Sequence, residues 1–131
     1  MKHIAITENH LYSKAYSKGS KAVTRSVIVY LLKDLKAKKL QNAHPMKLMV
    51  NRIGLTVSKK LGGAVVRNRV KRILRDGLRQ VENTHTLCSG NLIVIVARPI
   101  SVELKSTDIA KDLEKAFCQL ELIKQEQNRQ N

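Results

Sequence analysis

Residues 58–75 read SKKLGGAVVRNRVKRILR, a segment with seven lysines or arginines, two adjacent glycines and no acid. Projected at about 100° per residue, the sequence from this segment onward predicts an amphipathic helix over residues 64–81. Its apolar side comprises Val66, Val70, Ile73, Leu74, Leu78 and Val81, with Gly77 where close packing leaves no room for a side chain. The adjoining face carries Arg67, Lys71, Arg75 and Arg79 at four-residue steps, widened by Asn68 and Arg72. We expect a helix docked by its aliphatic side, with its cations facing outward.

The positive charge is concentrated in the first two-thirds of the chain. Residues 1–79 carry nineteen lysines and arginines against three acids, whereas residues 80–131 carry six against seven. A polar helix face ordinarily meets only water, but like charges four residues apart destabilise a helix by about 0.2–0.5 kcal/mol per pair. Arginine also binds phosphate in a bidentate manner. The pattern therefore favours a nucleic-acid partner, and charge alone does not distinguish RNA from DNA.

Several other classes of protein are disfavoured by composition. At 131 residues and 43% apolar content, the chain has the size and composition of a single globular domain. Its two cysteines read as reduced thiols, and no histidine, cysteine, carboxylate or serine cluster has the spacing of a metal or catalytic site. The apolar runs are too short for a signal peptide or a membrane span. We expect a soluble cytoplasmic protein without catalytic side chains of its own.

The rest of the sequence predicts an α/β sandwich, with helices on a mostly antiparallel sheet in the order α-β-β-β-α-β-α. Residues 91–97, NLIVIVA, are almost continuously apolar, which predicts a central strand covered on both faces. The other predicted elements are a first helix capped by Thr7 and ended by Gly19, two strands within 20–32 bent at Ser26, a basic connector at 33–47, a strand at 48–58, a loop at 83–90, a last helix capped by Ser106 or Thr107, and a frayed tail at 124–131.

Residues 52–76, RIGLTVSKKLGGAVVRNRVKRILRD, resemble the signature of the bacterial ribonuclease P protein subunit, centred on the triplet Arg67-Asn68-Arg69. The resemblance extends to Tyr12 and Tyr16 before a glycine, to a VIVY strand and to the IVIVARP strand, and covers about residues 7–123. It implies a two-layer sandwich that is ribosomal protein S5 domain 2-like, with a left-handed βαβ crossover at the basic helix.

The resemblance also implies a function. Ribonuclease P is an endoribonuclease that removes the 5′ leader from precursor tRNA, and in this family a large catalytic RNA performs the chemistry with bound Mg²⁺. The implied partners are ribonuclease P RNA and precursor tRNA, and no metal is expected on the protein alone. The alternative is a structural RNA-binding protein, such as a ribosomal protein or an RNA chaperone. An enzyme with a nuclease site of its own is a more distant alternative.

Two sets of residues match the binding sites of that family. The first, here called the basic ridge, corresponds to the site for the catalytic RNA and comprises Lys59, Lys60, Arg67, Asn68, Arg69, Lys71, Arg72 and Arg75. The second, here called the tyrosine cleft, corresponds to the site for the leader, between the first helix and the sheet, and comprises Tyr12, Tyr16 and Tyr30.

The first two positions of the tyrosine cleft are more often phenylalanine in the family. A tyrosine ring also stacks on a base, worth about 1–3 kcal/mol per base, whereas the alternative for each ring is packing in the core. The pair Gly62-Gly63 has two interpretations as well. It provides either a tight turn or, together with Lys59 and Lys60, a cradle for phosphate at the helix N-terminus.

Overall fold

The computed structural model describes residues 3–34 and 51–123. Within these ranges the chain forms five β-strands, three α-helices and two short 3-10 helices. The elements, in chain order, are β1 (His3–Ala5), α1 (Asn9–Lys18), β2 (Ser20–Val23), β3 (Val27–Lys33), β4 (Asn51–Thr56), a 3-10 helix (Lys59–Leu61), α2 (Ala64–Thr84), β5 (Asn91–Ala97), a 3-10 helix (Pro99–Glu103) and α3 (Ser106–Gln119). Apart from Lys33 and Asp34, the predicted connector at 33–47 lies outside the described residues, as does the tail at 124–131.

The five strands form one sheet in the order β1-β4-β5-β3-β2. β4 pairs in parallel with both β1 and β5, whereas β3 pairs antiparallel with both β2 and β5. The sheet is therefore mixed, and the prediction of a mostly antiparallel sheet is wrong. The parallel pairing of β4 with β5 follows from the β4-α2-β5 connection, because a helix that crosses over the sheet returns the next strand in the same direction.

The strand β1 is absent from the predicted order, which the structure corrects to β-α-β-β-β-α-β-α. Three residues are too few to show an alternating pattern, and the partner strand is distant in sequence: His3 pairs with Asn51 and Ala5 with Ile53. The Nδ1 atom of His3 also lies 3.0 Å from a carboxylate oxygen of Glu82 in α2. β1 therefore contacts both the sheet and the basic helix.

The central strand β5 is covered on both faces, as its composition predicts. On one face Ile93 and Ile95 belong to the main core with α2 and α3. On the other face Leu92 and Val94 pack in a smaller cluster with Ala15 of α1. The long helices thus form one layer on the sheet and α1 covers part of the opposite face, which confirms the α/β sandwich.

The basic helix α2 docks by its aliphatic side, as predicted. Val70, Leu74 and Leu78 are buried in the main core. Gly77 faces α3 so closely that a Cβ there would lie 2.9 Å from Cγ2 of Ile109, well inside normal van der Waals contact. The helix begins at the predicted residue but runs on to Thr84, which shortens the predicted 83–90 loop to residues 85–90.

The ends of the other helices correct two predicted caps. α1 ends before Gly19 as predicted, but its N-cap is Glu8 rather than Thr7. The last helix is preceded by Lys105, whose backbone N–H donates to the Asp108 carboxylate over 3.0 Å. The N-cap residue is therefore Lys105 rather than Ser106 or Thr107. The carboxylate of Asp108, in the first turn, accepts the hydrogen bond from its backbone N–H.

The predicted bend at Ser26 is confirmed, and a hydrogen bond to α3 stabilises it. Ser26 lies in the turn between β2 and β3 and is fully buried. Its hydroxyl donates a hydrogen bond of 2.5 Å to the carboxylate of Asp112 in α3. The predicted strand at 48–58 is observed as β4, and its residues 48–50 lie outside the described ranges.

Candidate nucleic-acid interface

The basic ridge is presented to solvent as the helical projection predicts. Asn68, Arg69, Arg72 and Arg75 of α2 are exposed, and Arg67 and Lys71 are partly buried. Lys59 and Lys60 are exposed in the 3-10 helix that leads into α2. The structure therefore brings the eight predicted residues onto one helix and the turn before it.

The charges of the basic ridge are largely uncompensated by the protein. In the part of the chain that the structure describes, no ridge lysine or arginine forms an ion pair. The neighbouring Arg79 differs, because its Nη2 lies 2.8 Å from the Asp76 carboxylate. Cations that form no ion pair with the described residues retain their charge for an external polyanion.

Arg69 is the ridge residue with a clear role inside the protein. Its guanidinium donates to the backbone carbonyl of Val102 over 2.7 Å and to that of Leu104 over 3.2 Å. These carbonyls lie at the end of the 3-10 helix that follows β5, so Arg69 ties α2 to this segment. A helical projection could not reveal these acceptors, because they lie more than thirty residues from Arg69 in sequence.

The turn into α2 requires the first of its two glycines. Gly62 has φ of 148°, in the region that favours glycine, and the backbone N–H of Lys60 donates to the Ser58 hydroxyl over 3.2 Å. Gly63 is the N-cap of α2 and provides no side-chain cap. The tight-turn interpretation of the glycine pair thus has a conformational reason, and the phosphate cradle stays a prediction.

The tyrosine cleft lies on the sheet face that α1 partly covers. The ring centroids of Tyr16 and Tyr30 are 5.0 Å apart with an interplanar angle of 72°, an edge-to-face arrangement. The Tyr16 hydroxyl also shares a hydrogen bond of 3.1 Å with the hydroxyl of Thr56 on β4. These two contacts hold the side chain of Tyr16 against the cleft. Its exposed fraction of 41% leaves part of the ring accessible to a ligand.

Tyr12 lies on Gly54 of β4, where a Cβ would overlap its ring and hydroxyl. Burial, and secondarily the charge of Tyr16, raises the pKa of Tyr12 above the usual 10.0. Tyr12 also lines a groove of about 680 Å³ together with Lys71 and Arg75. The two predicted surfaces therefore meet at this groove, which also borders on β1.

Arg52 is a site-supporting residue that the sequence prediction did not single out. Its guanidinium donates to both carboxylate oxygens of Asp34, over 2.7 and 2.9 Å, and to Glu8 over 3.1 Å. Arg52 is buried, and its pKa is raised above its usual value chiefly by the hydrogen bond to Asp34, against the effect of burial. It joins β4 to the N-terminus of α1, the helix that carries Tyr12 and Tyr16. The signal for it in the sequence was that Arg52 is the one charged residue of the strand β4.

Within residues 3–34 and 51–123, no group of three or more histidine, cysteine or acidic side chains is arranged to hold a metal ion. The same ranges contain no helix that is both long and apolar enough to span a membrane. The site is thus built from cations, an amide and phenols. This donor set suits phosphates and bases better than Mg²⁺, which prefers carboxylate and phosphate oxygens.

Comparisons with known proteins bear on the family and the fold of this chain. The sequence matches the Ribonuclease P family over residues 1–121. It is 32% identical to the Ribonuclease P protein component of Clostridium acetobutylicum over 123 residues, covering 94% of this chain and 93% of that one. It is 30% identical to the corresponding component of Bacillus velezensis over 119 residues, covering 91% and 90%.

Solved structures give the same result for the fold. The RNase P protein of Staphylococcus aureus superposes with a TM-score of 0.71 at 27% identity, covering 94% of this chain and all of that chain. The RNase P protein from Thermotoga maritima superposes with a TM-score of 0.61 at 20% identity, covering 79% and 86%, which supports the fold alone.

Proposed function

The chain belongs to the ribonuclease P protein family and is thus a protein component of a tRNA-processing endoribonuclease, and on that premise we propose how it acts. We propose that it binds the catalytic RNA of ribonuclease P and the 5′ leader of precursor tRNA, and so assists Mg²⁺-dependent removal of that leader. The observation that carries the proposal is the basic ridge, whose lysines and arginines form no ion pair with the described residues and lie on a helix that is packed into the core by its opposite side.

The basic ridge is proposed to lie on the phosphates of the catalytic RNA. Lys71, Arg72 and Arg75 follow the outward side of α2, while the opposite side is locked into the core by Leu74 and Leu78. A rigid helix presents its guanidinium groups at fixed positions, which suits bidentate binding of phosphate. Neutralising charge between two RNA molecules also lowers their repulsion, and this would reduce the Mg²⁺ concentration needed for cleavage.

The tyrosine cleft is proposed to hold the single-stranded leader. The exposed ring of Tyr16 beside Tyr30 supplies an aromatic surface on which an unpaired base can stack. Leader contacts exist in precursor tRNA and are lost in the product. Binding here therefore favours substrate over product.

The groove at Tyr12 supports the continuity of these two surfaces. Lys71 and Arg75 of the ridge and Tyr12 of the cleft line the same groove. If the bases of a single-stranded RNA leader lie in the tyrosine cleft, its phosphates would contact Lys71 and Arg75 where the RNA continues toward the basic ridge. The proposal is thus that the protein bridges the two RNA molecules rather than binding each separately.

The chemistry is assigned to the RNA subunit. The donor set of the ridge and cleft does not suit Mg²⁺, so we place the metal on the RNA and derive no step from protein side chains. The test is cleavage of precursor tRNA by ribonuclease P RNA at low Mg²⁺, with and without the protein, and by the protein alone. Stimulation of the RNA supports the proposal. Binding without stimulation would indicate a structural RNA-binding protein, and cleavage by the protein alone would indicate a nuclease site of its own.

A second experiment tests the leader site directly. In the holoenzyme, Tyr16→Ala is expected to weaken binding of precursor tRNA by about five- to hundredfold, the loss of one base stack. Binding of mature tRNA should be unchanged because it has no leader. If Tyr16→Ala weakens the binding of precursor and mature tRNA equally, or changes neither, the leader does not bind in this cleft.

A further inference from the structure

Two residues of β4 face two tyrosines of α1 at matched spacing. Tyr12 and Tyr16 are four residues apart on a helix, a separation of about 6 Å along its axis. Gly54 and Thr56 are two residues apart on a strand, about 6.6 Å, and point to the same face of the sheet. Tyr12 therefore lies on Gly54 while Tyr16 reaches Thr56.

The Tyr16 ring is consequently held at two points. Its hydroxyl is 3.1 Å from the hydroxyl of Thr56, and its ring packs edge-to-face with Tyr30 at a centroid distance of 5.0 Å. An exposed tyrosine held only by its backbone would sample several χ1 rotamers. With both contacts present, one orientation is favoured before any ligand arrives.

We propose that Thr56 is a positioning residue for leader binding. Its hydroxyl fixes the orientation of the Tyr16 ring, so the aromatic surface offered to a base exists in the free protein. Ordering this ring in advance reduces the conformational entropy that binding would otherwise cost. The proposal rests on the leader site proposed above, and Thr56 itself need not touch RNA.

The test is a double-mutant cycle in the holoenzyme, comparing Tyr16→Phe, Thr56→Val and the double variant. Both single variants remove the same hydrogen bond and keep the size of the side chain, and valine is well tolerated in a strand. Each is expected to weaken binding of precursor tRNA by about three- to tenfold with mature tRNA unchanged. The double variant should be no weaker than either single variant. Thr56→Ser keeps the hydroxyl and should restore precursor binding to that of the parent protein.

Each contrary result overturns the proposal in a distinct way. A loss in Tyr16→Phe without one in Thr56→Val would mean that the phenol contacts the leader itself. Additive losses would mean that the two hydroxyls act independently, and no loss in either would mean that the hydrogen bond has no effect. Equal weakening of precursor and mature tRNA would indicate a change in the fold. If Tyr16→Ala does not weaken precursor binding, the leader site itself fails, which distinguishes that outcome from failure of the positioning role alone.

Discussion

The ring of Tyr12 rests on the backbone of Gly54, at a distance that no other residue at position 54 would permit. We predict that Gly54→Ala displaces Tyr12 from β4, weakens precursor tRNA binding and lowers the free energy of unfolding by about 1–3 kcal/mol, the usual cost of overpacking. Urea unfolding and tRNA binding measure the two effects. In a Tyr12→Ala background the same change should cost much less, because the overlapping group is gone. Equal losses in both backgrounds would contradict the role assigned to this contact.

The buried ion pair of Arg52 predicts a larger effect on stability. Arg52→Met would leave the Asp34 carboxylate, which is only 2% exposed, without its bidentate partner. Removing one member of a buried pair typically costs about 3–5 kcal/mol. Urea unfolding should show this loss, and Arg52→Met combined with Asp34→Asn should be more stable than Arg52→Met alone. A double variant as unstable as the sum of both changes would show that the charge pair is not the cause.

Arg69 and Arg72 are both exposed arginines of α2, and comparing their substitutions separates a role in stability from a role in RNA binding. We predict that Arg69→Ala lowers the free energy of unfolding by about 1 kcal/mol, because it removes two hydrogen bonds to backbone carbonyls at an exposed site. Arg72→Ala should leave stability within about 0.5 kcal/mol of the parent protein, as is usual for exposed positions. Instead it should weaken binding of the catalytic RNA and reduce the salt dependence of that binding by about one counterion. If instead Arg72→Ala lowered stability and Arg69→Ala weakened only RNA binding, the roles assigned to these two residues would be wrong.

Arg67 provides an independent test of the basic ridge. Arg67→Ala is expected to weaken assembly with the catalytic RNA and to flatten the plot of log affinity against log salt, since a lost phosphate contact releases fewer counterions. Titrations at several salt concentrations measure this slope. An unchanged slope with reduced affinity would place Arg67 away from the phosphates.

The partly buried phenol of Tyr12 predicts a change of stability with pH in the alkaline range. Because folding raises its pKa above 10.0, the folded state retains this proton longer than the unfolded state does. The unfolding free energy should therefore be unaffected by Tyr12 at neutral pH and should fall as the pH rises past the ordinary value. The difference in tyrosinate absorbance between the parent protein and Tyr12→Phe gives the titration of this residue. A midpoint at or below the ordinary value would contradict the raised pKa that partial burial gives to Tyr12.

The basic helix shows what local sequence can predict. Its apolar stripe, its outward cations and the close packing at Gly77 are all set by side-chain spacing along one helix, and the structure confirms them. The central strand was equally predictable, because seven nearly continuous apolar residues can only be buried on both faces.

The features that sequence reasoning missed depend on contacts between distant segments. β1 becomes a strand only because β4 offers an edge to residues 3–5, and Arg69 gains its acceptors only when the segment after β5 folds beside α2. The Glu8 cap likewise belongs to a network with Arg52, more than forty residues away. Local propensity carries no signal for such pairings, so only the fold itself reveals them.

The central position of β5 has a consequence for synthesis on the ribosome. β5 joins two strand pairs, β1 with β4 and β2 with β3, that have no pairing with each other. A nascent chain that ends before Asn91 can hold these pairs only as separate fragments, with the aliphatic side of α2 still lacking α3. We therefore expect the RNA-binding form to arise only after β5 and α3 have emerged from the exit tunnel.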